Sequence, residues 1–262
     1  MESKWYKVLG VKVNLLNIHQ LNSLILKAVR NNLKWIIGNH NLNSIYIFHH
    51  DHAMRNFYEI ANYVHIDGMA LVFIGRLLKL PFQRVHRVTY VDWIWILIEK
   101  AVEEGWSILY LGSKEEVGNR AAEIFRDRYP DLKIATESGY FCTETENHHI
   151  IDKIKLYQPH ILMVGMGMPR QEKWILDNID DIEANIILPC GACVDYIASE
   201  TRTPPRWMGQ VGLEWLYRLI TNPKRLWKRY LIEPWFVVKL LFKEFIYKQH
   251  RIRKRDSADK SL

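Results

Sequence analysis

The chain has 262 residues, of which 48% are hydrophobic and 25% are charged, and its net charge is +7. This composition suits one large domain, or a domain with an appendage, and excludes an intrinsically disordered protein. Three cysteines are too few for a disulfide scaffold and no leader-like segment opens the sequence, so we expect a reducing cytoplasmic setting. No window reaches the roughly 18 uninterrupted apolar residues of a membrane-spanning helix.

The positive charge is concentrated near the C-terminus. Residues 202–255 hold 14 Lys or Arg against three Glu, a local net charge of +11, so the rest of the chain carries −4. Such a basic segment predicts a polyanionic partner: phosphate, anionic lipid or nucleic acid.

The N-terminal half predicts alternating short strands and helices. In chain order we expect two strands hinged at Gly10, a helix over about 18–31, a strand and loop over 35–41, a helix over about 42–57 followed by a shorter one, an extended run at 63–65, and a helix over about 69–78.

Three clear βα units follow, each with a continuous apolar strand that ends at a glycine turn. These strands are SILYLG (107–112), HILMVG (160–165) and NIILPCG (185–191). The pattern predicts an α/β fold with a mostly parallel sheet buried on both faces. Because ligands bind at the carboxyl ends of such strands, we expect the turn residues to converge on one crevice. They are Gly112, Ser113, Gly165, Gly167 and Gly191.

The run from His160 to Trp174, HILMVGMGMPRQEKW, is typical of a strand that passes through a Gly-x-Gly turn into a helix. Glycine lets backbone N–H groups approach a nucleotide phosphate, and Pro169 suits the first helical position. Gln171 and Glu172 then stand in the first turn, beside the ligand. The alternative is that these glycines serve packing only.

Asp67 follows a short extended run, where its carboxylate can act as a general base toward a sugar hydroxyl. The alternative is that Asp67 caps the helix starting near Met69. The pair Cys190 and Cys193 has the spacing of a redox or half-zinc site, but without a second pair we expect small buried cysteines. The HHDH run at 49–52 favours a solvated helix end over a metal site.

Beyond Ser199 the βα pattern stops. We predict a turn at 202–207 and three helices over about 212–219, 223–231 and 234–247. Arg218, Arg225 and Arg229 fall near one helical stripe and could clamp a diphosphate. In the last helix an apolar face with flanking lysines fits either an interfacial helix on an anionic leaflet or a helix packed on the core. Nucleic acid is disfavoured, since no reader module is present.

Several segments together resemble the WecG/TagA/CpsF group, the family 26 bacterial glycosyltransferases. The matching stretches are IDGMALV (66–72), HRVTYVD (86–92), ILYLGS (108–113), VGMGMPRQEKWI (164–175), CGACVDYIA (190–198) and TPPRWMGQVGLEWLYRLITNPKRLWKRYL (203–231).

The resemblance implies an inverting, metal-independent enzyme that moves a sugar from a UDP donor onto a polyprenyl-diphosphate-linked sugar at the inner membrane face. It implies a Rossmann-like, GT-E-like catalytic domain over 1–200 and a helical appendage over 201–262 that completes the active site and touches the membrane. It places the catalytic Asp at Asp67, a Pro-x-Gln-Glu motif at 169–172 and a functional arginine at Arg87.

Three positions depart from the family pattern: Asn39 replaces a Thr, Tyr90 replaces a Gly, and Ser199 replaces a Gly. These changes leave the particular sugar open and resemble members that build exopolysaccharide. The expected catalytic residues are Asp67, Gln171, Arg218, Arg225 and Arg229. The expected substrate-binding residues are Asn39, Asn41, Arg87, Gly112, Ser113, Gly165, Gly167, Met168, Glu172, Gly191 and Asp195.

No cofactor and no metal are expected, since the sequence contains no Asp-x-Asp motif. The expected partners are a UDP-sugar, a polyprenyl-diphosphate-linked saccharide and an anionic membrane surface, with homo-oligomerisation left open. Two other classes of function stay open: a dinucleotide-dependent oxidoreductase, disfavoured because no third glycine follows Gly167, and a non-catalytic membrane-binding scaffold.

Overall fold

The structure is a computed structural model that describes residues 4–200 and 205–258, without the side chains of 206, 210, 225 and 247–258. Its first element is an antiparallel hairpin of β1 (Trp5–Val8) and β2 (Val11–Asn14). Gly10 turns the hairpin at a φ of 109°, a conformation that favours glycine, so the predicted hinge is confirmed.

A six-stranded sheet forms the centre of the molecule, and every pairing in it is parallel. The strands are β3 (Trp35–His40), β4 (Tyr63–Ile66), β5 (Ser107–Gly112), β6 (Lys133–Glu137), β7 (Ile161–Gly165) and β8 (Ile186–Pro189), in the spatial order β4-β3-β8-β7-β5-β6. Strands β7 and β8 are buried along their whole length, because both faces of the sheet are covered by helices. The predicted α/β fold is confirmed.

Nine helices lie between and after these strands up to residue 200. They are α1 (Ile18–Arg30), α2 (Leu42–His50), α3 (His52–Ile60), α4 (Met69–Leu77), α5 (Tyr90–Glu104), α6 (Glu115–Arg128), α7 (Asn147–Tyr157), α8 (Arg170–Asn178) and α9 (Cys193–Ile197), with a short 3-10 turn at Arg84–His86. Helices α1, α5, α6 and α9 supply the hydrophobic cluster on one face of the sheet, and α2, α3, α4, α7 and α8 the cluster on the other.

The helix predicted over 42–57 is broken in the structure. Helix α2 ends at His50 and α3 begins at His52, because the Asp51 carboxylate accepts hydrogen bonds from the N–H groups of Ala53 and Met54. An aspartate that caps a new helix N-terminus ends the helix before it. Helix α8 likewise begins at Arg170, one residue after Pro169, which we had placed at the first helical position.

The C-terminal segment is also helical, but its boundaries differ from those predicted. Its helices are α10 (Arg206–Val211), α11 (Glu214–Thr221), α12 (Pro223–Trp227) and α13 (Glu233–Ala258), with a π-helical turn at Lys228–Ile232 joining the last two. Arg206 and Trp207 are therefore helical instead of part of a turn, and residues 202–204 of the predicted turn lie outside the described residues. The helices predicted to start at Pro223 and Pro234 form one continuous rod, because a π-helical turn that ends at Ile232, two residues before Pro234, joins them.

Helix α13 packs on the rest of the molecule through one side only. Val237 is buried, and the Phe236 ring lies against Tyr46 at a centroid distance of 5.5 Å. Two residues of the predicted apolar face, Trp235 and Phe242, remain 71% and 66% exposed. The helix thus packs on the core and still presents an apolar strip to solvent. In the described part of the chain, no helix is long and apolar enough to cross a bilayer.

We call residues 4–200 the core segment and residues 205–258 the appendage. The predicted domain boundary falls on residues that lie outside the described part of the chain, so that boundary stays a prediction.

Candidate active site

Asp67 lies at the carboxyl end of β4, one residue beyond the strand. Its N–H donates to the His40 carbonyl at 2.9 Å, and its carboxylate Oδ2 accepts from Asn41 Nδ2 at 3.0 Å. The N-terminal cap position of α4 is held by Gly68, with no side-chain hydrogen bond. Asp67 therefore does not cap the helix, and the carboxylate is held by an amide at the mouth of the sheet.

The two asparagines at the carboxyl end of β3, Asn39 within the strand and Asn41 directly after it, make different contacts. Asn41 caps α2 by accepting from the Ser44 N–H, and its amide also donates to Asp67. Asn39 is buried, and its Nδ2 donates to the Pro189 carbonyl at 2.7 Å. Asn41 is thus placed beside Asp67, whereas Asn39 ties β3 to β8.

Gln171 joins two of the glycine turns. Its side-chain oxygen Oε1 accepts from the backbone N–H of Gly167 and from that of Gly191, both at 3.1 Å. Its Nε2 donates to Glu172 Oε1 at 2.7 Å, and both side chains are 1% exposed. The two turns therefore come together, but their N–H groups are engaged by Gln171.

Gly167 and Gly191 require glycine for their backbone conformation. Their φ values are 80° and 57°, and a Cβ built on either would meet no atom within 4 Å. Open space therefore lies beside both turns, where a ligand could approach the backbone. Met168, between Gly167 and Pro169, accepts a long hydrogen bond at its sulfur from Asn43 Nδ2 at 3.8 Å.

Gly112 and Gly165 face a protein side chain instead. They are register neighbours on β5 and β7, and a Cβ on either would lie 2.5 Å from the Tyr110 hydroxyl. That hydroxyl lies 2.6 Å from Ser113 Oγ, which donates to Asp195 Oδ1 at 2.6 Å. The packing of Tyr110 is therefore sufficient to require both glycines, and their contact with a nucleotide stays a prediction.

Two ionisable groups near the crevice are deeply buried. Burial raises the pKa of Glu172 to about 7, although the hydrogen bond from Gln171 acts to lower it. Burial lowers the pKa of His40 to about 3, and His40 Nδ1 lies 2.8 Å from Ser44 Oγ. The imidazole of His40 is therefore neutral at physiological pH. The carboxyl group of Glu172 has a pKa close to physiological pH.

The appendage brings arginines to the crevice. The Arg218 guanidinium lies 5.3 Å from the centroid of the Tyr196 ring, and its buried Nε has no hydrogen-bond partner. Burial acts against its charge, but Tyr196, Tyr230, Glu214 and Asp67 together raise the pKa of Arg218. Asp67 is thus among the groups whose charge acts on Arg218, and its effect is the smallest of these.

The other two predicted arginines are less fully defined. The Arg229 guanidinium lies 5.7 Å from the Tyr230 ring centroid, and its charge also reaches Tyr196. The side chain of Arg225 lies outside the described residues.

Arg87 binds two carboxylates. Its Nη1 donates to Asp92 Oδ2 and its Nη2 to Glu214 Oε1, both at 2.6 Å, and its side chain is only 10% exposed. Glu214 belongs to the appendage, so Arg87 links the two parts of the chain. Sequence reasoning missed Glu214, although a lone acidic residue between position 200 and Glu233 was a signal. It also missed Tyr110, because no local pattern marks this residue among the apolar residues of β5.

The remaining candidate clusters have structural explanations. Cys190 and Cys193 are free and buried, and burial raises the pKa of both thiols, as expected for small core residues. His49 Nε2 lies 2.9 Å from the Leu9 carbonyl oxygen, and His50 stacks on Tyr46. The HHDH run therefore lies at the junction of α2 and α3, where His49 and His50 also both contact the Phe236 ring of α13.

Comparisons with known proteins identify a family for the sequence. The model of the family described as "Glycosyl transferase WecG/TagA/CpsF family" matches residues 6–251. Two similar proteins, both from Staphylococcus aureus (strains MRSA252 and NCTC 8325 / PS 47), are named N-acetylglucosaminyldiphosphoundecaprenol N-acetyl-beta-D-mannosaminyltransferase. Each is 26% identical over 239 residues, which cover 87% of this chain and 92% of the relative.

Proposed function

This chain belongs to the WecG/TagA/CpsF family of glycosyl transferases, and from that premise we propose its reaction. We propose that it moves a hexose, of the glucose or N-acetylhexosamine type, from a UDP-sugar to a sugar linked to polyprenyl diphosphate, with inversion at the anomeric carbon. The observation that carries the proposal is the position of Asp67 at the carboxyl end of β4, where Asn41 holds its carboxylate and where its charge acts on the partly buried Arg218.

Asp67 is the general base of this mechanism. The Asp67 carboxylate accepts the proton of the acceptor hydroxyl while that oxygen attacks the anomeric carbon of the donor. Asn41, which donates to Oδ2 at 3.0 Å, orients the carboxylate and leaves Oδ1 for the acceptor proton. Attack and departure on opposite faces of the sugar give the inverted product.

The departing diphosphate gains negative charge in the transition state, and cationic groups must meet that charge. The Gly167 and Gly191 N–H groups are engaged by Gln171. The main contribution therefore falls to the appendage arginines, with Arg218 best placed and Arg225 and Arg229 beside it in sequence. Gln171 holds the two turns that border the donor site. The proposal assigns no step to a metal or a cofactor.

The sugar and the acceptor follow from the relatives by analogy. Because those proteins are named for transfer of N-acetylmannosamine to a lipid-linked N-acetylglucosamine, a lipid-diphosphate acceptor is the first to test. We propose a role in exopolysaccharide or cell-wall polymer synthesis at the inner face of the plasma membrane.

Membrane contact is proposed for the exposed side of α13. Trp235 and Phe242 are largely exposed, and Lys239 and Lys243 lie on the same helix, a combination that suits an anionic leaflet. The double variant Trp235→Ser, Phe242→Ser should co-sediment less with anionic vesicles than the wild type. The control variant Leu240→Met changes a residue that packs on the core and should co-sediment as the wild type does. Equal binding by all three proteins would argue against this contact.

The direct test is release of UDP. We would incubate the protein with UDP-glucose, UDP-N-acetylglucosamine or UDP-N-acetylmannosamine and a short-chain lipid-diphosphate-N-acetylglucosamine, and measure free UDP. We expect release with one donor only when acceptor is present, and a product whose anomeric configuration, read by NMR, is inverted. Absence of acceptor-dependent release with every donor would refute the proposal.

A further inference from the structure

Besides the apolar packing of α13, one ion pair among the described residues links the appendage to the core segment, between Arg87 and Glu214. The two residues are 127 positions apart, their nitrogen and oxygen are 2.6 Å apart, and their side chains are 10% and 28% exposed. Partial burial shields the pair from salt more than an open surface pair.

The core end of this ion pair is fixed next to the general base. The Val88 N–H donates to the Ile66 carbonyl at 2.9 Å, and Arg87 forms a parallel bridge with Ile66. Asp67 is the residue after Ile66. A group that binds Arg87 is therefore held in a defined position relative to β4, the strand that positions Asp67.

The appendage end of the pair sits on the helix that carries Arg218. Glu214 and Arg218 are four residues apart on α11, so they share one face of the helix. The ion pair between Glu214 and Arg87 therefore restrains the position of α11 along its axis and its rotation about that axis, and with them the position of the Arg218 side chain.

Helix α10 is packed closely against the same pair. A Cβ added to Gly209 would collide with the Glu214 carboxylate and would lie 2.9 Å from Arg87 Nη2. Gly209 thus lets α10 close over the ion pair, which further limits where Glu214 can go.

We infer that Glu214 is a positioning residue, which holds α11 on Arg87 so that Arg218 is presented to the leaving diphosphate beside Asp67. This inference rests on the proposed function for the role of Arg218, but the docking of α11 is independent of it. Glu214 does not touch substrate or reacting atoms.

The first arm of the test measures docking without any reaction. Amide hydrogen exchange over 214–221 should be about tenfold faster in Glu214→Gln than in the wild type, because the helix opens locally more often. The matched control is Asp92→Asn, which removes the other carboxylate on Arg87 and should leave exchange over 214–221 within about twofold of wild type. Unchanged exchange of the sheet strands confirms folding. Equal exchange in Glu214→Gln and wild type would overturn the inference.

The second arm is a double-mutant cycle on turnover. Glu214→Gln should lower kcat by about 10- to 100-fold, because a displaced Arg218 no longer meets the diphosphate. In an Arg218→Ala background the same change should cost less than about threefold, since Glu214 acts through Arg218. Equal losses in the two backgrounds would refute the assignment. If even the wild type releases no UDP, the proposed function fails, and the exchange arm alone decides how α11 is held.

Discussion

The core segment and the appendage are held in place by different means. Among the described side chains, every fully buried hydrophobic residue except Val237 lies in the core segment. The appendage instead leaves Trp207, Trp215, Trp227 and Trp235 between 40% and 71% exposed, and it is tied down by a few directional contacts. Burial therefore maintains the sheet, whereas individual side chains maintain the position of the appendage.

This contrast teaches that stability and activity should separate along the chain. Changes inside the sheet should lower the free energy of unfolding. Changes at the contacts of the appendage should lower turnover and leave the sheet folded. The following variants test that separation, beginning with the largest expected effect.

Asp67→Asn should have the largest effect, since it removes the proposed base and keeps the shape of the side chain. We expect kcat to fall by about 10²- to 10⁴-fold, the usual cost of a lost general base. Binding of the UDP-sugar, measured by calorimetry, should change by less than about threefold, because the carboxylate faces the acceptor. Asn43→Ala, a change on the neighbouring helix α2, serves as the control. Full activity of Asp67→Asn would remove the residue from its role.

Arg218→Ala should come next, and it tests whether the appendage takes part in chemistry. Loss of one group that stabilises a developing oxyanion costs about 10²- to 10³-fold in kcat. The urea midpoint of unfolding should stay at the wild-type value, because the sheet is untouched. Arg218→Lys keeps the charge but loses the planar fork, so its kcat should lie between the two. A lower urea midpoint together with a normal kcat would show that Arg218 serves stability and not turnover.

A pair of stability measurements sharpens the contrast further. Ile187 on β8 is fully buried, and Ile187→Ala should lower the free energy of unfolding by about 2–5 kcal/mol through lost burial and a new cavity. Trp235 on α13 is 71% exposed, and Trp235→Ala should change it by less than about 0.5 kcal/mol. Urea denaturation followed by circular dichroism would measure both. Comparable losses of unfolding free energy in the two variants would show that Trp235 contributes to stability as much as a core residue does.

The smallest expected effect is a pH dependence that arises from Glu172. Burial raises the pKa of Glu172 to about 7 in the folded state, above its unfolded value near 4.5. A raised pKa contributes stability that is present below pH 4.5 and is lost as the pH rises through 7. Relative to the wild type, Glu172→Gln should therefore gain about 1 kcal/mol of unfolding free energy per pH unit between pH 5 and 7. A constant difference across this range would contradict the burial of a neutral Glu172.

The sequence predicted those features that depend on local pattern. Continuous apolar runs were enough to identify β5, β7 and β8, and the rule for the ends of such strands placed Asp67 and the glycine turns at one edge. Strand β6 was missed, because its sequence KIATE is short and half polar and only Ile134 in it is buried. The break at Asp51 was missed because a capping side chain ended α2 within an otherwise helical pattern. The continuous rod from Pro223 was missed because a π-helical turn precedes Pro234.

Contacts between distant segments were beyond the reach of sequence reasoning. The Tyr110 side chain packs against glycines of two different strands. Arg87 forms an ion pair with a glutamate that is 127 residues away in sequence. Neither partner can be identified from spacing, since the fold alone brings the pieces together. The same holds for Gln171, whose oxygen binds Gly167 and Gly191 instead of facing open space.

That single amide oxygen has a mechanical consequence. Because one atom accepts from the turns after two different strands, neither turn can shift without straining its bond to Gln171 or moving the other. Helix α9 begins two residues after Gly191 and carries Tyr196, whose ring lies 5.3 Å from the Arg218 guanidinium. The Gly167 turn, the Gly191 turn and Arg218 are therefore linked by one short chain of contacts that begins at a single oxygen.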